Sequence, residues 1–252
     1  GVRLQLDYLK AERGMAEQGI GHCVVVFGST RLHEPESAKR ALEVAKRNAL
    51  AEPHTASSAH AIARAESRVR LSPYYDVGRK LGRLIAESGN GPDDLRVVVM
   101  TGGGPGAMEA ANRGASEAGA KTVGLNITLP REQYPNPYIT PGLCFQFHYF
   151  ALRKLHFMSR AVALVALPGG FGTLDELFGA LTLIQTRKMS PIPVVLIGES
   201  YWKNLINISF LVESGTIDPE DAELLWFAET AQQAWTGIQA WYQRAGKPLF
   251  GA

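Results

Sequence analysis

Cysteine is scarce: Cys23 and Cys144 are the two in 252 residues. Two thiols in a chain this long make no disulfide scaffold and point to a reducing setting such as the cytoplasm. No apolar run reaches the roughly 18–20 residues that a membrane-spanning helix needs, so no membrane partner is expected. No basic-then-apolar leader follows Gly1, so no targeting signal is read. Neither sign of charge dominates. The 26 Lys and Arg stand against 24 Asp and Glu, a net +2, too balanced for a nucleic-acid coat or for adhesion to an anionic membrane. Missing motifs exclude more. There is no G-x-x-x-x-G-K-[ST], hence no Walker-type triphosphate cradle. Neither glycine-rich loop reads G-x-G-x-x-G in register, hence no ordinary dinucleotide fingerprint. The histidines, among them His54, His60, His148 and His156, lack the paired spacing of a zinc helix, so no metal is expected. Cys144 lies four residues before His148, but no acid is spaced to join them, and Cys144 reads as core.

What is present points to a packed α/β chain. It is 46% hydrophobic and 20% charged, enough apolar material for one large domain over 1–252. Strand-length apolar runs occur at Cys23–Phe27, Arg96–Thr101, Thr122–Ile127, Leu143–Phe147, Val162–Leu167 and Pro193–Ile197. Several are nearly continuous Val, Ile and Leu, the pattern of strands covered on both faces. Helix-length stretches separate them: Tyr74–Ser88, Pro105–Ala118, Phe150–Ser159, Leu174–Arg187 and Trp202–Glu213. This alternation predicts a doubly wound, mainly parallel sheet with helices on both faces. Leu4, Tyr8, Ala11 and Met15 mark an opening helix, and Ala231–Arg244 a closing one. The segment at about 33–71 departs from the alternation. Its Ala-rich face, broken near Pro53, Ser57 and Ser58 before a second helix around Ala59–Val69, predicts a helical insert, a flap or subunit contact or else a solvated hairpin. Asp218-Pro219-Glu220 reads as a helix start, and the Trp and Phe residues near 202–227 as core.

The glycines concentrate at two strand exits. Thr101-Gly102-Gly103-Gly104-Pro105-Gly106 and Pro168-Gly169-Gly170-Phe171-Gly172-Thr173 each follow a strand and open a helix. Glycine lets the backbone approach a ligand, and a helix start offers unpaired N–H groups and the positive end of the dipole. A third exit, Phe27-Gly28-Ser29-Thr30-Arg31, adds hydroxyls and a cation. Tight turns built for packing remain the alternative for either loop alone. Together they predict an anion pocket for a single phosphate, as in a nucleoside monophosphate. Glu176 lies three residues after Thr173: either Thr-x-x-Glu is a capping box, or the carboxylate stands beside a bound phosphate facing a ribose or a water. Arg153 and Lys154 precede the Val162 strand, and Glu109 follows the first glycine loop. Either pair or acid also reads as a solvated helix end.

The segments FGS at 27–29, TGGGPGAMEAANRGA at 101–115, RKLHFM at 153–158 and PGGFGTLDE at 168–176 resemble the LOG (LONELY GUY) family. The likeness runs from about residue 22 to about 225. It implies a Rossmann-like fold, a homodimer or higher homo-oligomer, and no cofactor. It also implies cleavage of the N-glycosidic bond of a nucleoside 5′-monophosphate, AMP or a cytokinin riboside monophosphate, to free base and ribose 5-phosphate. By the resemblance, Arg153 and Glu176 are catalytic. Gly169, Gly170, Gly172 and Thr173 hold the phosphate, with Ser29, Gly102, Gly103 and Gly104 lining the same pocket for phosphate and ribose. Glu109, Lys154 and Met158 are the candidate contacts to base or ribose. Met108-Glu109 stands where short plant members carry Met-Gly, which places the chain with the longer bacterial branch. The rival reading is a nucleotide-binding sensor or carrier without catalysis. Family members are often labelled possible lysine decarboxylases, but no lysine here sits in a recognisable pyridoxal site.

Overall fold

The computed structural model describes residues 1–51, 56–88, 94–129 and 134–249. In chain order its elements are α1 (Val2–Glu17), β1 (Cys23–Phe27), α2 (Pro35–Ala51), α3 (Ala56–Leu71), α4 (Pro73–Ala86), β2 (Val98–Thr101), α5 (Ala107–Glu117), β3 (Thr122–Ile127), β4 (Cys144–Phe147), α6 (Phe150–Arg160), β5 (Ala161–Ala166), α7 (Phe171–Gln185), β6 (Val194–Ile197), α8 (Glu199–Leu205), α9 (Ile208–Glu213), α10 (Pro219–Ala222), β7 (Leu225–Ala228) and α11 (Ala231–Arg244). The strands form one all-parallel sheet in the order β4-β3-β2-β1-β5-β6-β7.

The central strand shows why the sheet is covered twice. In β1 every residue is buried, and successive side chains point to opposite faces. Cys23, Val25 and Phe27 join a core with Met15 of α1, Phe157 of α6, Leu177 of α7 and Trp202 of α8. Val24 and Val26 join the opposite core with Leu81 of α4, Ala111 of α5 and Trp235 of α11. The chain runs outward from β1 through β2 and β3 to β4, then returns to place β5 on the other side of β1. That reversal leaves a crevice beyond the carboxyl ends of β1 and β5, where doubly wound sheets bind ligands.

Helices α4 and α5 meet backbone to backbone. A Cβ at Gly82 would overlap the carbonyl oxygen of Ala111, and one at Gly114 that of Arg79. Gly114→Ala is therefore expected to destabilise the fold by roughly 1–3 kcal/mol through overpacking, although alanine favours an isolated helix. Thermal denaturation checks this; an unchanged midpoint refutes the close-packing account.

Helix α1 packs along α6 from the residue before its N-cap to its last residue. Asp7 is buried, and its carboxylate accepts the His148 backbone N–H at 3.0 Å and lies 3.0 Å from His148 Nδ1. Glu12 pairs with Arg160 Nη2 at 2.7 Å, and the Tyr8 ring stacks on His156 at 4.9 Å. Burial works to raise the Asp7 pKa, but the hydrogen bonds and charge of His148 outweigh it and hold it below the ordinary carboxylate value. A carboxylate depressed in this way stabilises the fold above its unfolded pKa of about 3.9, and that contribution is lost as the pH falls through the lower folded value. Asp7→Asn is expected to lower the denaturation midpoint at neutral pH, with the difference from wild type closing as the pH falls below about 4. Melting curves across that range check it.

Three expectations are corrected. Cys144 is exposed rather than core, because β4 is an edge strand that turns Phe145 and Phe147 inward and Cys144 outward. The stretch Trp202–Glu213 is two helices, not one: Ile206 is extended, and Asn207 Oδ1 caps α9 by accepting the Phe210 N–H at 3.0 Å. Of the aromatic residues near 202–227, Trp202 is fully buried, but Phe210 is exposed, and Trp226 and Phe227 lie half-buried in the edge strand β7. Between β1 and α4 run α2 and α3, packed on one another; Pro53 and His54 lie outside the described residues.

Candidate active site

Three strand exits are stitched together at the crevice. The Ser29 N–H donates to the Pro168 carbonyl at 3.0 Å, and the Ser29 carbonyl accepts the Ala107 N–H at 3.0 Å. Gly28 packs so closely on Ala107 and Leu167 that a Cβ there would overlap the Ala107 methyl. The exits of β1, β2 and β5 thus form one rigid floor. Above it lies a cavity of ≈ 640 Å³, within the roughly 300–1,000 Å³ usual for small-molecule sites.

The structure brings Ser29, Gly102, Gly169, Gly170, Gly172, Thr173, Arg153 and Glu176 together on this cavity's wall. Helix α7 begins at Phe171 with Gly170 as its N-cap. Thr173 and Leu174 donate their N–H groups back to the Gly170 carbonyl at 2.9 and 3.0 Å. The Phe171 and Gly172 amides lie ahead of those bonds, at the positive end of the helix. This start corrects the capping-box alternative: Thr173 is already inside the helix, so Thr173 and Glu176 cannot cap it. Glu176 lies in the second turn of α7 and is buried.

Gly103 and Gly104 serve the loop itself. The Gly103 N–H donates to Thr101 Oγ1 at 2.9 Å, and Thr101 Oγ1 donates to buried Asn112 at 2.7 Å. The Asn136 side chain donates to the Gly104 carbonyl at 3.1 Å. Neither glycine lies on the cavity wall; nor do Glu109, Lys154 and Met158. Glu109 accepts the Tyr75 hydroxyl at 2.8 Å, and Met158 is buried in the core under the sheet. Lys154 Nζ pairs with Asp175 Oδ1 at 3.0 Å and donates to the Asp175 carbonyl at 3.0 Å, tying α6 to α7. The sequence reading missed wall residues from distant segments, among them Leu71, Asn126, Phe150 and Tyr201. Asn126 carried a signal, a polar side chain at the carboxyl end of a strand. Tyr201, whose hydroxyl donates to the Gly169 carbonyl at 2.9 Å, carried none.

Arg153 and Glu176 are both withdrawn from water yet loosely paired. Glu176 is 2% exposed, and its Oε1 lies 3.5 Å from Arg153 Nη2. Its Oε2 is 3.9 Å from Lys154 Nζ and has no hydrogen-bond partner; Arg153 Nε lacks one as well. The guanidinium rests 5.0 Å from the Phe150 ring centre and 5.7 Å from that of Phe157. Burial pushes the Glu176 carboxyl above its ordinary pKa, against the lowering pull of Lys154 and Arg153. Burial also draws the Arg153 pKa down, opposed by Glu176. A buried acid on a cavity wall, with one oxygen unsatisfied, is poised to take a proton or to face a developing cation.

Residues 108–238 match the model of the family described as "Possible lysine decarboxylase". The chain belongs to this family. Among its relatives is the Arabidopsis thaliana cytokinin riboside 5′-monophosphate phosphoribohydrolase LOG3. That protein is 29% identical over 171 residues, which cover 66% of this chain and 75% of the relative. The Oryza sativa enzyme of the same name, LOG, is 28% identical over 167 residues, covering 65% of each chain, just under two thirds of its length. The family fold is also that of TM1055, a structural-genomics target solved by X-ray diffraction. It superposes with a TM-score of 0.52 at 21% identity, over 87% of this chain and 99% of that one.

Proposed function

We propose that the chain hydrolyses the N-glycosidic bond of a nucleoside 5′-monophosphate, AMP or a cytokinin riboside monophosphate, to free base and ribose 5-phosphate. The observation that carries this reading is the buried, under-bonded Glu176 carboxyl on the same cavity wall as the first-turn amides of α7. The amides of Phe171 and Gly172, with the Thr173 and Ser29 hydroxyls, hold the 5′ phosphate and fix the ribose. Cleavage passes through an oxocarbenium-like sugar. Glu176, ionised, faces the anomeric carbon, stabilises its growing charge and takes a proton from the attacking water. The water oxygen bonds to C1′, the C1′–N bond breaks, and the departing base gains a proton. Arg153 orients Glu176 and hydrogen-bonds the base as negative charge builds there. The names of the plant relatives support the bond cleaved; the base is part of the proposal. We further propose a homodimer or higher homo-oligomer, supported by Leu155, Phe171 and Phe178, all exposed on α6 and α7. Free Cys23 and Cys144 support a reducing, cytoplasmic setting.

The test is incubation with AMP, adenosine and ATP, with chromatography for adenine and ribose 5-phosphate. Release of both products from AMP and not from adenosine is expected. Binding of AMP without products assigns a nucleotide-binding protein instead, and equal turnover of adenosine refutes the phosphate role of the glycine loop.

A further inference from the structure

Beside the cavity just described lies a second one, of ≈ 810 Å³, between the β1 exit and the inserted helix α3. The two share Ser29, Arg31 and Leu71 on their walls, so they form one continuous depression. The second is strongly basic. Arg64 and Arg68, four residues apart on α3, line it together with Arg31, with His60, Ser57 and Ser67 supplying further polar groups. Among the described residues no acidic side chain lines it and none of the three guanidiniums has an acidic partner. By contrast, Arg79, Arg83 and Arg113 all converge on Glu117, and Arg96 pairs with Asp94. Three unpaired guanidiniums around one trough repel one another, and the groups that relieve such repulsion best are phosphoryl oxygens, which take two N–H donors at once.

We propose that this trough receives the distal phosphoryl groups of a nucleoside 5′-di- or triphosphate whose first phosphoryl sits at the α7 amides. The placement of that first phosphoryl rests on the function proposed above. The shared wall at Ser29 and Arg31 lies where the phosphate chain crosses from one cavity to the other. Such a ligand spans both cavities and excludes the monophosphate, so a nucleoside triphosphate is a competitive inhibitor of AMP cleavage. The insert thereby acts as a sensor of polyphosphorylated nucleotide, without a Walker-type loop.

The test measures calorimetric binding of inorganic tripolyphosphate and of orthophosphate, and ATP inhibition of AMP cleavage, in the wild type and in the Arg64→Ala/Arg68→Ala double variant. Both arginines are exposed helix-surface residues outside the first cavity, and alanine preserves the helix. The wild type is expected to bind tripolyphosphate at least about tenfold more tightly than orthophosphate, and the double variant to lose about that factor while cleaving AMP at the wild-type rate. Tripolyphosphate binding no tighter than orthophosphate, or unaltered in the variant, overturns the proposal. Tight, arginine-dependent tripolyphosphate binding in a protein that does not cleave AMP upholds the trough and refutes the hydrolase reading instead.

Discussion

Glu176→Gln is expected to lower kcat for AMP cleavage by about 10²–10⁴-fold, the range lost when a positioned acid–base group is removed. Glutamine keeps the shape and one hydrogen-bond acceptor but can neither take a proton nor carry the charge that faces an oxocarbenium-like sugar. The fold should not weaken. Burial raises the Glu176 pKa, so at neutral pH the ionised carboxylate costs the folded state stability relative to the unfolded chain. Removing that charge relieves the cost, and the denaturation midpoint is expected to hold or rise. The same shift fixes the sign of the pH profile. The active, ionised fraction declines as the pH falls through the raised value, so the acid limb of kcat/KM lies above the pH of about 4.3 expected of an ordinary glutamate. The residual activity of the Gln variant lacks that limb. Turnover near the wild-type rate in a folded Glu176→Gln protein removes Glu176 from the chemistry.

The parts that were legible beforehand share a cause. Strands such as Cys23–Phe27 and Thr122–Ile127 are buried on both faces, so they are uninterrupted apolar runs that stand out from any helical period. β7 escaped because Leu225–Ala228 is a four-residue edge strand with two half-buried aromatic residues, which pattern alone does not separate from a helix end. The break between α8 and α9 was signalled by Asn207, a good N-cap, but the apolar residues on both sides of it mimic one continuous helix. At the site, only six positions separate Gly170 from Glu176, so a helix opening anywhere between them keeps the glycine loop and the carboxylate within two turns of each other, and their meeting was readable. Which glycines face the cavity was not. Gly103 and Gly104 are drawn into the loop by Asn112 and Asn136, and the Asn136 contact to Gly104 joins residues 32 apart. The trough on α3 was likewise hidden, because Arg31 and Arg64 become neighbours only when the insert folds back over the β1 exit.

Gly172→Ala separates a glycine kept for a ligand from one kept for the fold. At Gly172 no atom beyond its chain neighbours and its own helix backbone lies within 4 Å of where a Cβ would stand, and its φ is not positive. Neither packing nor backbone conformation calls for glycine there, and in the first turn of α7 alanine is the better helix former by about 1 kcal/mol. The variant is therefore expected to melt at the wild-type temperature or above. The methyl group would instead stand at the cavity wall, where a phosphoryl oxygen must come within about 3 Å of the amides. Loss of one or two hydrogen bonds to a charged group raises KM for AMP by about 10- to 100-fold, with kcat changed far less because Glu176 and Arg153 are untouched. Gly169→Ala gives the contrasting result: its Cβ would overlap Thr173 Oγ1, so both the melting temperature and AMP affinity fall together. An unchanged KM in Gly172→Ala places the phosphate away from the α7 terminus, and with it the geometry that sets Glu176 against the sugar.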